Sequence, residues 1–237
     1  MAELTTSTAN LTLAVGGLSV SHTVTVPRAA VPASDIVPAL QELVNAVVAA
    51  AEAGKAVSCR KGCGACCRQL VPISRTEGER LLALMAAMPE ERRRALEFRF
   101  HSAEAALEQA GLSFPSRQTD RELSIAYFAL GIACPFLEEE SCSIHGERPL
   151  ICREYLVTSP AALCATSDQA GVMPVAVPKL SLAARDLQQS GDGWFPLATL
   201  LAWAGAQRPS KKIKRPGTEW ITRFLQALAK APAKNEL

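Results

Sequence analysis

The spacing of apolar residues changes period along this chain, and the changes predict its elements. Residues 11–26, LTLAVGGLSVSHTVTV, alternate β-formers with polar residues on both sides of Gly16-Gly17. A period of two interrupted by a Gly-Gly pair predicts a β-hairpin. Pro27 and Pro32 close that segment. From Asp35 to Ala53, Ile36, Leu40, Leu43, Val44, Val47 and Val48 recur at helical spacing, with Gly54 as the stop. Further on, Ser74-Arg75-Thr76-Glu77 has the form of a capping box, in which a hydroxyl and a carboxylate satisfy free amides at a helix start. Leu81, Leu82, Met85 and Met88 form the buried stripe expected of that helix. Pro89 suits the first position of another helix, running to Gly111. A second box, Thr119 to Glu122, opens a segment through Tyr127 and Phe128 to Gly131. Near the end, Gly191-Asp192-Gly193 reads as the entry to a helix over 196–206. Trp220, Ile221, Phe224, Leu225 and Leu228 then share one face of a terminal helix. The expected fold class is mainly α, with a small N-terminal β-hairpin and an irregular core packed by helices.

Composition narrows the functional classes. The apolar fraction of 49% is enough for a sizeable core, and a net charge of +2 creates no general demand for nucleic acid or an anionic membrane. The most apolar run, Leu43 to Ala51, is interrupted by Asn45 and is far shorter than the roughly 20 residues that span a bilayer. With no basic leader at the N-terminus, a cytoplasmic location without a membrane role is the expectation. Arg92-Arg93-Arg94 and Lys211-Lys212-Ile213-Lys214-Arg215 read as solvated faces or a basic linker, since no nucleic-acid motif accompanies them. Trp194, Trp203 and Trp220 read as packing anchors.

The eight cysteines change this picture most. All lie between Cys59 and Cys164, and in a reducing compartment such clustering points to metal or redox chemistry before disulfides. The first group is Cys59-Arg-Lys-Gly-Cys63-Gly-Ala-Cys66-Cys67. Cys63 and Cys66 have the two-residue spacing that lets a tight turn present both sulfurs to one ion, with Gly64 expected to supply the backbone freedom. The neighbouring side chains of Cys66 and Cys67 diverge in either a helix or a strand, which favours two ions or a cluster over one ion. The second group is Cys134-Pro-Phe-Leu, Cys142-Ser-Ile-His145 and Arg148-Pro149-Leu-Ile-Cys152-Arg153, with Cys164 beyond. A short hairpin over 134–144, turning at Glu138-Glu139-Glu140, is expected to bring Cys134 and Cys142 together. Cys152, in the first turn of a helix opened by Pro149, is expected to have a lowered pKa. Arg60, Lys61, Arg68, Arg148 and Arg153 are placed to offset thiolate charge.

These motifs resemble the YkgJ-type cysteine cluster proteins, the zinc- or iron-chelating CxxCxxCC family, over about residues 58–165. The resemblance rests on C-x3-C-x2-C-C, CPFL, C-S-I-H, R-P-L-x-C-R and a final cysteine. It implies that Cys59, Cys63, Cys66, Cys67, Cys134, Cys142, Cys152 and Cys164 are metal ligands. The cofactor implied is zinc or iron, including an iron–sulfur cluster. Flagellin lysine N-methylase is similar through the same module, but no methyl-donor site aligns here. His145 stands where an aromatic is common in the family and reads first as a structural hydrogen-bonding residue. Glu147, Glu154, His145 and Tyr155 are the candidate acid–base or supporting groups.

The expected organisation is a hairpin over 1–30, a helix over 31–57, a cysteine-cluster metal-binding domain over 58–165 and a helical extension over 166–237. The expected function is chelation of zinc or iron through eight thiolates, as two ions or a cluster, with no reaction assigned. The alternative is an iron-dependent or iron–sulfur redox or protein-modifying enzyme. The expected partners are the metal ion and another protein, without membrane or nucleic acid.

Overall fold

The computed structural model describes residues 5–114, 120–166, 170–185, 187–188, 193–207 and 212–230. Thr119, where the second capping box was expected to begin, lies outside these residues, as do Gly191, Asp192 and Lys211.

Strand β1 (Thr6–Val15) pairs antiparallel with β2 (Leu18–Pro27), a longer hairpin than the alternation alone predicts. Gly16 and Gly17, at φ 55° and 77°, make its two-residue turn, a conformation that costs glycine little. One face of the hairpin buries Leu13, Val20, Val24 and Val26. The other carries a cross-strand ladder of Thr8 with Thr25, Asn10 with Thr23, and Thr12 with Ser21. After β3 (Ala30–Pro32) and a 3-10 turn comes α1 (Val37–Glu52), which buries the predicted stripe against β2.

Strand β4 (Pro72–Ile73) leads into α2 (Arg75–Ala86), whose start is the predicted capping box. The long α3 (Glu90–Gln109) follows, with Pro89 as its N-cap rather than its first residue. Then come α4 (Asp120–Ala129), the small hairpin β5 (Leu137–Glu138) and β6 (Ser141–Cys142), and the single-turn α5 (Leu150–Glu154). The C-terminal part contributes α6 (Ser181–Ala184), β7 (Phe195–Pro196), α7 (Leu200–Ala206), β8 (Lys214–Pro216) and α8 (Gly217–Lys230). Helix α7 is shorter than predicted because residues 197–199 form a 3-10 turn before it. Strand β8 pairs with β3 and β7 with β4, so the C-terminal part is stitched back onto the first third of the chain.

Two cores bracket the cysteines. The first joins the hairpin, α1, Leu150 of α5 and the Trp220, Ile221 and Phe224 face of α8. The indole N–H of the fully buried Trp220 donates to the Val31 carbonyl at 2.9 Å. The second gathers Ile73, Leu81, Met85, Leu96, Phe100, Phe136 and Phe195. Trp203 stacks on Phe195 with ring centres 4.3 Å apart, and Trp194 lies beneath the Arg185 guanidinium. Cys59 packs on the first core, and Cys134 and Cys142 on the second. Among the described residues, no helix is long and apolar enough to cross a membrane.

Candidate metal centre

The cysteines come from four segments that the fold brings to one place. A loop carries Cys59 and Cys63, and a 3-10 turn over Ala65–Arg68 carries Cys66 and Cys67. Cys134 and Cys142 flank the β5–β6 hairpin, Cys152 is on α5, and Cys164 is on a second 3-10 turn over Ala161–Ala165. That last turn packs on the Cys66–Cys67 turn. Backbone bonds pin the segments: Cys134 N–H donates to the Cys67 carbonyl at 2.7 Å, and Ser58 N–H to the Val157 carbonyl at 2.9 Å. The Gln69 amide donates to the Cys164 carbonyl at 3.1 Å.

Cys66 is the hub. Its thiol is close to that of Cys67, although neighbouring side chains in a 3-10 turn diverge. That contact, then burial, raises the Cys66 pKa. Charge on Cys66 is also felt at Cys59, Cys134, Cys142, Cys152 and Cys164. The couplings sort the thiols differently from their sequence order. Cys66 and Cys63 raise Cys59, and Cys59, Cys66 and Cys63 raise Cys164. Cys134, Cys142 and Cys152 form the other set around Cys66. Thus Cys164, last in the sequence, joins the first group.

Burial dominates the electrostatics. It pushes Cys134 up to about 12, with Cys142 and Cys66 adding to the rise. Cys152 is raised well above the usual thiol range, against the expectation of a lowered value. Desolvation of the half-buried Cys152 thiol, with Cys134, Cys66 and Cys142 adding to it, outweighs the helix start, and α5 has only five residues to set against it. Arg148 opposes the trend at Cys59, Cys66, Cys142 and Cys152. Its Nε is buried without a hydrogen-bond partner, so a cationic donor is left unspent among the sulfurs. The Tyr155 hydroxyl is likewise buried without a partner at ordinary hydrogen-bonding distance, beside Gln69 and Cys164.

Other predicted groups have different positions. The Arg148 guanidinium meets His145 Nε2 at 2.9 Å, and since arginine can only donate, that nitrogen accepts. Burial and the neighbouring Arg148, Arg153 and Lys61 hold His145 below its usual pKa. Arg153 faces carbonyls rather than thiols, donating to Arg148 O, Gly146 O and Asn45 Oδ1. Glu154 is fully buried and accepts the Ser181 amide and hydroxyl at 2.8 and 2.7 Å; burial pushes it up to about 7. Glu147 pairs with Arg80 at 3.1 Å.

The Glu138-Glu139-Glu140 turn is not simply solvated. Glu138 binds Arg92 and Arg99 of α3, and Glu140 makes a two-pronged pair with Arg68, next to Cys67. Glu139 and Glu140 adopt positive φ, 47° and 57°, which non-glycine residues rarely do. Gly64 has a different role from the expected one. Its φ of −96° needs no glycine. A methyl group there would lie 2.8 Å from Leu137 Cδ1 and 2.9 Å from the Glu140 carbonyl, so glycine lets the second cysteine group's hairpin seat on the first group's loop. The left-handed residue of that loop is Gly62, at φ 92°.

Two supporting roles escaped the sequence reading. Glu77 closes the capping box on Ser74 through one carboxylate oxygen and accepts the Leu150 amide at 2.8 Å through the other, tying α2 to the helix that carries Cys152. Gln41 donates to the Glu147 and Arg148 carbonyls, fixing the turn before α5. The signal for Gln41 was a polar residue on the apolar stripe of α1.

The fold thus gathers thiols from separate segments between two cores, with the Arg148 Nε–H unpartnered beside them. Residues 58–174 match the model of the CxxCxxCC family, described as "Putative zinc- or iron-chelating domain". No curated protein and no solved structure matches the chain.

The donor set fits such an ion. Thiolates suit zinc and iron–sulfur centres, and the orphaned Arg148 Nε–H is a donor suited to an anionic metal–thiolate group. Among the described residues, no three Cys, His, Asp or Glu side chains stand close enough to hold one ion as they lie.

Proposed function

We propose that this protein binds zinc or iron through Cys59, Cys63, Cys66, Cys67, Cys134, Cys142, Cys152 and Cys164. The ligands act as two four-thiolate sets joined at the vicinal pair. One set contains Cys59, Cys63 and Cys164, the other Cys134, Cys142 and Cys152, and Cys66 and Cys67 complete them. Two ions or one compact cluster are held in this way. The observation that supports the reading most is the convergence of thiols from four segments on Cys66, beside the Arg148 guanidinium, whose Nε–H has no partner.

Each supporting residue has a role in this reading. Arg148 offsets the negative charge of metal-bound thiolates and donates to sulfur. Tyr155 donates to Cys164 or to a neighbouring sulfur. Glu77 and Gln41 hold α5 and the preceding turn in place. Bound zinc would crosslink the segments, whereas bound iron would also supply a redox couple. A reducing compartment such as the cytoplasm keeps the thiols available.

The test is elemental analysis with an absorption spectrum of protein purified without oxygen. The reading expects about two zinc ions and no visible absorption, or iron with thiolate-to-iron bands. Protein that takes up neither metal at its thiols would overturn it. The spectrum also separates a closed zinc module from an iron-based redox or modifying enzyme.

A further inference from the structure

Strand β1 lies at the edge of a two-stranded ribbon, and nothing among the described residues hydrogen-bonds to its outer side. The register shows which groups are free. Arg28 N–H donates to the Thr5 carbonyl, so the Thr5–Arg28 pair is a hydrogen-bonded one. Such pairs alternate along an antiparallel ladder. With the pairing observed, Ser7, Ala9, Leu11 and Leu13 turn their backbone groups toward β2. Thr6, Thr8, Asn10, Thr12 and Ala14 therefore direct theirs away from it, and all five are exposed.

Among the described residues, nothing usual blunts this edge. Proteins protect edge strands with lysine, proline, bulges or short length. Strand β1 is ten residues long, has no ionisable residue and no proline, and pairs without a bulge. The other strand ends in Pro27. The inward face of β1 is also incompletely covered, with Ala9 exposed and Leu11 half-buried.

We propose that the β1 edge is an interface for β1 of a second copy of this chain, making a four-stranded antiparallel sheet. The neutrality of the strand favours this occupant: a charged peptide gains no complementary charge, whereas a second β1 brings no repulsion. A two-fold axis at Asn10 sets Thr8 opposite the partner's Thr12, which extends the hydroxyl ladder of the outer face. On the inner face it sets Leu11 beside the partner's Ala9 and covers both. Five paired residues supply about ten backbone hydrogen bonds.

The test is the mass in solution of the full chain, with its metal, by light scattering after size exclusion. The wild type is expected at twice 25.2 kDa. Asn10→Pro removes an outward amide and should halve the mass. Should that variant fail to fold, Thr8→Lys with Thr12→Lys places lysines opposite each other across the two-fold axis, on side chains that are exposed, and should also halve it. Metal content and circular dichroism should match the wild type, which separates this interface from the metal site. A wild type that stays monomeric at the highest attainable concentration, or a lysine variant that stays dimeric, would overturn the proposal.

Discussion

Gly64 shows how a single hydrogen atom can keep two cysteine groups together. Replacing it with alanine sets a methyl group 2.8 Å from Leu137 Cδ1 and 2.9 Å from the Glu140 carbonyl. The side chain can yield, but the carbonyl belongs to a turn already anchored through Glu138 and Glu140 to three arginines. Gly64→Ala should therefore lift the β5–β6 hairpin off the first cysteine loop. The expected cost is about 1–3 kcal/mol in unfolding free energy by urea titration. Metal should also be lost to a competing chelator at an affinity lower by on the order of tenfold. Unchanged stability and retention would show that the hairpin is not seated there. At this scale the sequence disclosed the cysteines but not their grouping. Cys164 joins Cys59 and Cys63 only because two 3-10 turns pack together, a contact between residues almost one hundred apart that no local spacing encodes. The lowered pKa expected of Cys152 failed for a related reason: burial depends on the whole fold, whereas a helix start is local.

The link between α2 and α5 is carried by one buried carboxylate. Glu77 accepts from Ser74 N, Ser74 Oγ and Leu150 N, and its burial raises its pKa despite those donors. Because the folded-state pKa lies above the unfolded one, its contribution to stability is complete below the ordinary carboxylate range. That contribution is lost as pH rises through the raised value. Glu77→Gln puts an amide N–H₂ toward a donor, at a cost of about 1–3 kcal/mol, and removes this titration. Urea midpoints at matched metal content should show the largest gap from wild type at acidic pH and a narrower one as pH rises. A gap that widens with pH would contradict the assignment. The capping box itself was visible in Ser74 and Glu77, as were the stripes of α1 and α8, because periodicity and capping are local. The second use of Glu77, on an amide 73 residues away, was not. The lengths of the hairpin and of α7 also differed from the pattern, since pairing extends past the alternating residues and a 3-10 turn takes up part of the expected helix.

Across the molecule, the thiol centre lies where two hydrophobic cores meet, and each core includes residues from well-separated parts of the sequence. Strand pairs β3–β8 and β4–β7 return the C-terminal part to the N-terminal third, so the cysteines are presented by the finished fold and not by one local loop. The sequence made the class of site legible through its eight clustered cysteines. The arrangement around Cys66 required the tertiary structure. The central claim, that all eight thiols serve one metal-binding centre, is tested most directly by counting alkylated cysteines in the native, metal-loaded protein by mass spectrometry, before and after chelation. The account predicts that all eight resist alkylation while metal is bound and that all react once it is removed. Metal-loaded protein in which Cys164 or the Cys134, Cys142 and Cys152 set reacts at the rate of the metal-free form would contradict it.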